Sequence, residues 1–164
     1  MKVLERFGMF ESKSLPTPME MNFKKLCGEA TRPNLANPFD YRQLVGALMF
    51  LVNTCTDICI AINTLRQFMA EPHRVHWIIA KHVLRYLHGT ISLGLRYVVG
   101  DLRLNGYTNA NWAGNVLNKK STYGCCFSLG SSMISWMSEK KKSITLNIVE
   151  AEYIAASLAS CEAI

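Results

Sequence analysis

The sequence predicts an α+β protein: an N-terminal connector, then a helical segment, then antiparallel strands followed by a helix. Three observations lead there. Apolar residues recur at helical spacing from about Asn37 to His88, and after Gly89 the period changes to the alternation typical of strands. The last stretch, Val149 to Ile164, is rich in alanine and returns to helix-forming residues. The resulting division is 1–36 for the connector, 37–90 for the helical segment and 91–164 for the strand-and-helix part.

Residues 1–36 contain Pro16, Pro18 and Pro33 among scattered polar residues without a sustained period, which reads as little regular structure. A helix is expected to start at Asn37-Pro38-Phe39-Asp40. Asn37 can accept the first free backbone amides, Pro38 suits the first helical position, and Asp40 favours the positive helix end. Leu44, Val45, Leu48, Leu51 and Val52 then form one apolar face. A second helix follows Thr56-Asp57, with Ile58, Ile62, Leu65 and Met69 inward, and Glu71-Pro72 breaks it. The third runs from Pro72 to His88. Val75, Ile79, Val83 and Tyr86 fall on one side of it, and Arg74, Lys81, Arg85 and His88 on the other. Strands are expected at Leu93 to Val98, Leu102 to Thr108, Thr122 to Leu129 and Met133 to Trp136. Gly130-Ser131-Ser132 predicts a tight hairpin between the last two, and Lys140 to Lys142 read as the following loop.

With 49% hydrophobic and 18% charged residues among 164, the chain is too apolar for a disordered tail and long enough for one domain or two small lobes. The longest apolar run, Leu44 to Val52, is far shorter than the roughly 20 residues a bilayer span requires. Charge appears at Lys2 and Glu5 before any apolar stretch develops, which argues against a secretory signal and for an intracellular protein, in cytoplasm or nucleus. Cysteines at 27, 55, 59, 125, 126 and 161 form no Cys-x-x-Cys pair and read as reduced thiols. His73 and His76 could join a zinc site only with two further ligands. A net charge of +6 makes nucleic acid the first anionic partner to consider. Arg74, Lys81 and Arg85, with Lys140, Lys141 and Lys142, are the candidate phosphate contacts. The plainer reading is that these basic residues form a solvated outer face.

Several words occur in a fixed order along the chain. They are Tyr41-Arg42-Gln43-Leu44-Val45-Gly46-Ala47-Leu48, the run from Trp77 to Thr90, Gly106-Tyr107, Trp112-Ala113-Gly114, Lys120-Ser121-Thr122, Ile134-Ser135-Trp136 and Glu150-Ala151-Glu152-Tyr153-Ile154-Ala155. Their order resembles copia-type retrotransposon Pol polyproteins, from the end of the reverse transcriptase into the ribonuclease H domain. The resemblance implies a helical region leading out of the polymerase palm, followed by a truncated ribonuclease H-like fold. The family's polymerase motif Tyr-x-Asp-Asp does not occur here, so polymerase chemistry is not expected.

Cleaving the RNA strand of an RNA:DNA hybrid by the two-metal route needs carboxylates holding two magnesium ions roughly 4 Å apart. Neutral groups hold such hard cations poorly. The family's first carboxylate lies in Tyr-Ser-Asp-x-Asp-Trp-Ala-Gly, which appears here as Tyr107-Thr108-Asn109-Ala110-Asn111-Trp112-Ala113-Gly114. Asn109 thus stands at the catalytic aspartate position, and Asn111 replaces the second aspartate. The family's next carboxylate aligns with Glu152, which is retained, whereas Glu150 reads as a helix-start charge. The remaining family aspartates would follow Ile164. Glu152 would then be the one metal ligand left, the site would be incomplete, and no magnesium would bind productively. Other departures, such as Thr54-Cys55-Thr56-Asp57-Ile58 and Leu117-Asn118-Lys119-Lys120, look like relaxed selection. Trp112 and Trp136 are expected to pack in the core rather than stack on bases.

Three functions remain open at this point. The chain could be a catalytically inactive fragment that still binds RNA:DNA hybrid or other nucleic acid, alone or with the rest of a Pol polyprotein. It could be a decayed remnant without biochemical function. It could be an active hybrid ribonuclease within a longer product.

Overall fold

The computed structural model describes residues 2–20, 35–100, 102–111, 120–141 and 146–163. They fall into two compact units, Met1–Gly94 and Leu95–Ile164.

The first unit contains α1 (Lys2–Arg6), α2 (Pro38–Leu51), a 3-10 turn (Thr56–Ile58), α3 (Cys59–Arg66) and α4 (Arg74–Gly89). Asn37 caps α2 as expected: its side-chain oxygen accepts the Phe39 N–H at 3.1 Å, and Pro38 occupies the first turn. The apolar faces of α2, α3 and α4 meet in one core, where Tyr41, Leu44, Leu48, Ile62, Leu65, Val83 and Leu84 are fully buried. Buried Tyr41 donates its hydroxyl to the Leu65 carbonyl at 2.7 Å, satisfying an acceptor in the last turn of α3. Arg42 donates to the carbonyls of Met69 and Ala70, tying the chain beyond α3 back to α2.

Residues 1–36 are not uniformly irregular. Lys2–Arg6 is helical, and Leu4 is buried in the core with Val3 and Phe7 packed against it. Five residues are too few for a helical period to show in sequence; tertiary packing stabilises the turn instead. Cys27 and Pro33 lie outside the described residues.

Tyr86 of α4 donates its hydroxyl to the Asp57 carboxylate beside the 3-10 turn. That bond, then burial, pushes the phenol from 10.0 up to about 12. Because the folded value lies above the unfolded one, the tie contributes stability fully below about pH 10, and this is lost as pH rises toward 12. Tyrosinate absorbance during alkaline titration should show a late-titrating tyrosine that disappears in Tyr86→Phe. Identical titration curves for the two proteins would remove this tie.

The second unit is a three-stranded antiparallel sheet, β1 (Leu104–Asn111), β2 (Thr122–Leu129) and β3 (Ser132–Lys140) in the order β1-β2-β3, followed by α5 (Ile148–Glu162). Leu129 pairs with Ser132 around a two-residue turn in which Gly130 takes φ 58, a conformation that favours glycine. Three inward alanines, Ala151, Ala155 and Ala159, let α5 approach the sheet closely, against Ala110, Tyr123, Cys125, Phe127 and Met137. Asn147 caps this helix by accepting the Glu150 N–H at 2.8 Å, and the Glu150 carboxylate accepts the Leu146 N–H at 2.6 Å. Glu150 therefore serves the helix start. The molecule is α+β, with strands preceding the last helix as expected.

Two expectations need correction. Leu93 to Val98 is not a strand. Its polar groups form bonds in which one partner is a side chain, instead of a ladder: Val98 N–H donates to the Ser131 hydroxyl, Tyr97 O–H to the Met133 carbonyl, and the Ser132 hydroxyl to the Arg96 carbonyl. The lysine run is not a simple loop either, because Lys140 ends β3. Among the described residues, no helix is long and apolar enough to cross a membrane.

Candidate functional site

Alternation along β1 turns Ala110 toward α5 and leaves Asn109 and Asn111, its neighbours on either side, exposed. Asn109 pairs with Gly124 and Asn111 with Thr122. On α5, Glu152 follows the buried Ala151. Both of its carboxylate oxygens accept the Ala110 N–H, each at 3.2 Å. The fold thus brings Glu152 to the strand position between the two asparagines. The carboxylate there is engaged with a backbone amide, and the strand residues on either side of Ala110 are asparagines, which carry no charge. No group of three His, Cys, Asp or Glu side chains suited to a metal occurs among the described residues.

Lys141 departs from its expected role as a phosphate contact. It is only 6% exposed, and its ammonium donates to the Ala151 carbonyl at 2.7 Å while its backbone N–H bonds Ser121. Burial pushes the ammonium pKa down, opposed by nearby Glu150 and Glu152. Its charge faces the start of α5 and not solvent.

The chain is 38% identical over 162 residues, 95% of its length, to the Retrovirus-related Pol polyprotein from transposon TNT 1-94 of Nicotiana tabacum. It is also 38% identical over 161 residues, 98% of its length, to the Retrovirus-related Pol polyprotein from transposon RE2 of Arabidopsis thaliana. The chain belongs to the copia-type retrotransposon Pol polyprotein family. It spans 12% and 11% of the length of these two polyproteins. A further match, 41% identical over 126 residues, covers 76% of this chain and 89% of a Plasmopara viticola protein called Secreted RxLR effector protein 161. No protein-family model and no solved structure matches.

The remaining basic residues of this Pol segment divide between the two units. On α4, Arg74 is exposed, and the Lys81 ammonium lies 5.1 Å from the Trp77 ring centroid, a cation–π contact. Arg85 donates its Nε to the Lys13 carbonyl at 2.7 Å, and His82 brings Nε2 to 2.9 Å from the Thr17 carbonyl. The backbone carbonyls of Lys13 and Thr17 that border this helix face leave no signal in the sequence. In the second unit, Lys140 is half-buried, and burial, then Lys120, lowers its pKa. Lys142 lies outside the described residues.

His76 is buried, stacked on Phe68 with ring centroids 3.9 Å apart, and its Nδ1 accepts the His73 N–H at 3.0 Å. That is the packing of a core histidine. Cys55, Cys59, Cys125, Cys126 and Cys161 form no disulfide among the described residues. Trp136 is half-buried on β3, and Trp112 lies outside the described residues.

Proposed function

We propose that this chain is a Pol segment running from the exit of the reverse transcriptase into the ribonuclease H region, silent as a nuclease but able to bind nucleic acid. The observation that carries the reading is the pair Asn109 and Asn111 flanking the Ala110 amide that holds Glu152. A two-metal site needs several anionic oxygens converging on two magnesium ions, and this arrangement offers one carboxylate already bonded to the backbone. The residues present do not fit that metal pair. Replacing an aspartate by asparagine keeps the size and removes the charge that a hard cation requires.

Binding to phosphates does not depend on those carboxylates. Arg74 and Lys81 on α4 are the first contacts we assign, with an RNA:DNA hybrid as the ligand and the rest of a Pol product as partner. A location inside the cell, in cytoplasm or nucleus, suits that role. A salt titration of labelled hybrid checks it. Each phosphate contact contributes roughly 0.9 to the slope of log affinity against log salt, so Arg74→Ala with Lys81→Ala should flatten the slope by about 2 units. Millimolar affinity at low salt would leave only the decayed remnant, and a slope unchanged by the double substitution would remove Arg74 and Lys81 as contacts.

A further inference from the structure

Residues 10–20 form a strap along one face of α4. From the C-terminal end of the helix, Phe10 meets His88 edge-on with ring centroids 6.1 Å apart. Next, a Cβ placed on Gly89 would stand only 3.0 Å from the Ser14 Cβ, so the strap lies directly on the glycine. The Leu15 N–H donates to the Arg85 carbonyl at 3.3 Å, and Arg85 Nε donates to the Lys13 carbonyl. One turn earlier, His82 faces two oxygens: its Nε2 meets the Thr17 carbonyl, and its Nδ1 lies 3.7 Å from the Glu20 carboxylate. The strap therefore presents acceptor oxygens to Arg85 and His82, the same kind of group that a phosphate backbone would present.

We propose that this strap is an intramolecular cover that competes with nucleic acid for the Arg85–His82 face of α4. The idea rests on the nucleic-acid-binding reading above and adds a regulation to it. The cover is built to be displaced. Its Arg85–Lys13 and His82–Thr17 bonds lie at the surface, where water replaces them at little cost, Met19 is only half-buried where it packs on the core, and such segments open locally without global unfolding. Gly89 makes the close fit possible, because any larger side chain there would push on Ser14.

Two variants of the full chain loosen the strap without touching a basic residue. Gly89→Val inserts side-chain atoms beneath Ser14, and Leu15→Pro removes the N–H that bonds Arg85. Trypsin cleavage of the Lys13–Ser14 bond reports lifting, and a short labelled RNA:DNA hybrid at low salt reports access. Both variants should be cut faster than the wild type. Both should bind the hybrid about three- to tenfold more tightly, the factor by which a mostly closed cover lowers apparent affinity. The gain should vanish when Arg85→Ala is added. Faster cutting with unchanged affinity overturns the cover while leaving the binding reading in place. Equal cutting of wild type and variants shows that the strap is not held and overturns it as well. If no form binds hybrid, the binding reading fails and the cover falls with it.

Discussion

Replacing Lys141 by alanine is expected to destabilise the sheet-and-helix unit by about 2–4 kcal/mol, the range for deleting a long buried side chain together with its hydrogen bond. The side chain of Lys141 is buried, and its ammonium bonds the Ala151 carbonyl in the first turn of α5. Lys141→Met keeps most of the volume and should cost within about 1.5 kcal/mol. The two variants also separate packing from charge. Burial holds the ammonium pKa below its ordinary value of 10.5, so the charged form is disfavoured in the folded state. Stability of the wild type should therefore rise as pH climbs through the alkaline range up to the ordinary lysine value, and this rise should be absent in Lys141→Met. Urea unfolding followed through the backbone amide signals of residues 122–129 measures both effects. A Lys141→Ala midpoint equal to that of the wild type would mean that this lysine is dispensable to the unit.

Gly106→Val is the second large effect expected. A Cβ at residue 106 would lie 2.8 Å from Phe127 Cε1 and 3.1 Å from its Cδ1. Phe127 is buried with Cys125 and Ala159 between the sheet and α5, so valine must expel the ring or bend β1. Overpacking of this kind costs about 2–3 kcal/mol. The clash is specific to one ring, and a smaller partner should relieve it. In Gly106→Val with Phe127→Leu, the loss should be at least about 1 kcal/mol less than the sum of the two single losses, the coupling expected of residues in contact. Additive losses would place the cause elsewhere.

The parts of the fold that were legible in the sequence are those set by local chemistry. Asn37-Pro38 marked the start of α2 because a cap and a proline act within a few residues, and β2 was recognised over Thr122 to Leu129 because alternation and the glycine turn agree there. The meeting of Glu152 with the Asn109–Asn111 strand end was legible only through the Pol resemblance, since 42 residues separate Ala110 from Glu152. Three features were hidden. Leu93 to Val98 has strand-like composition, but its neighbours offer the Ser131 and Ser132 hydroxyls and no ladder. Lys141 sits in a lysine run that reads as solvated, and only tertiary packing shows that one member is buried. The strap over α4 is held mainly through backbone carbonyls, which every residue carries and which therefore leave no mark in a sequence.

Whether the carboxylate site of this Pol segment is silent is tested most directly by incubating a labelled RNA:DNA hybrid with the purified chain and magnesium. No metal-dependent cleavage is expected, either from the chain as it stands or after Asn109→Asp alone, because Asn111 remains neutral and Glu152 remains bonded to the Ala110 amide. Magnesium-dependent cleavage by the unaltered chain that disappears in Glu152→Gln would contradict it.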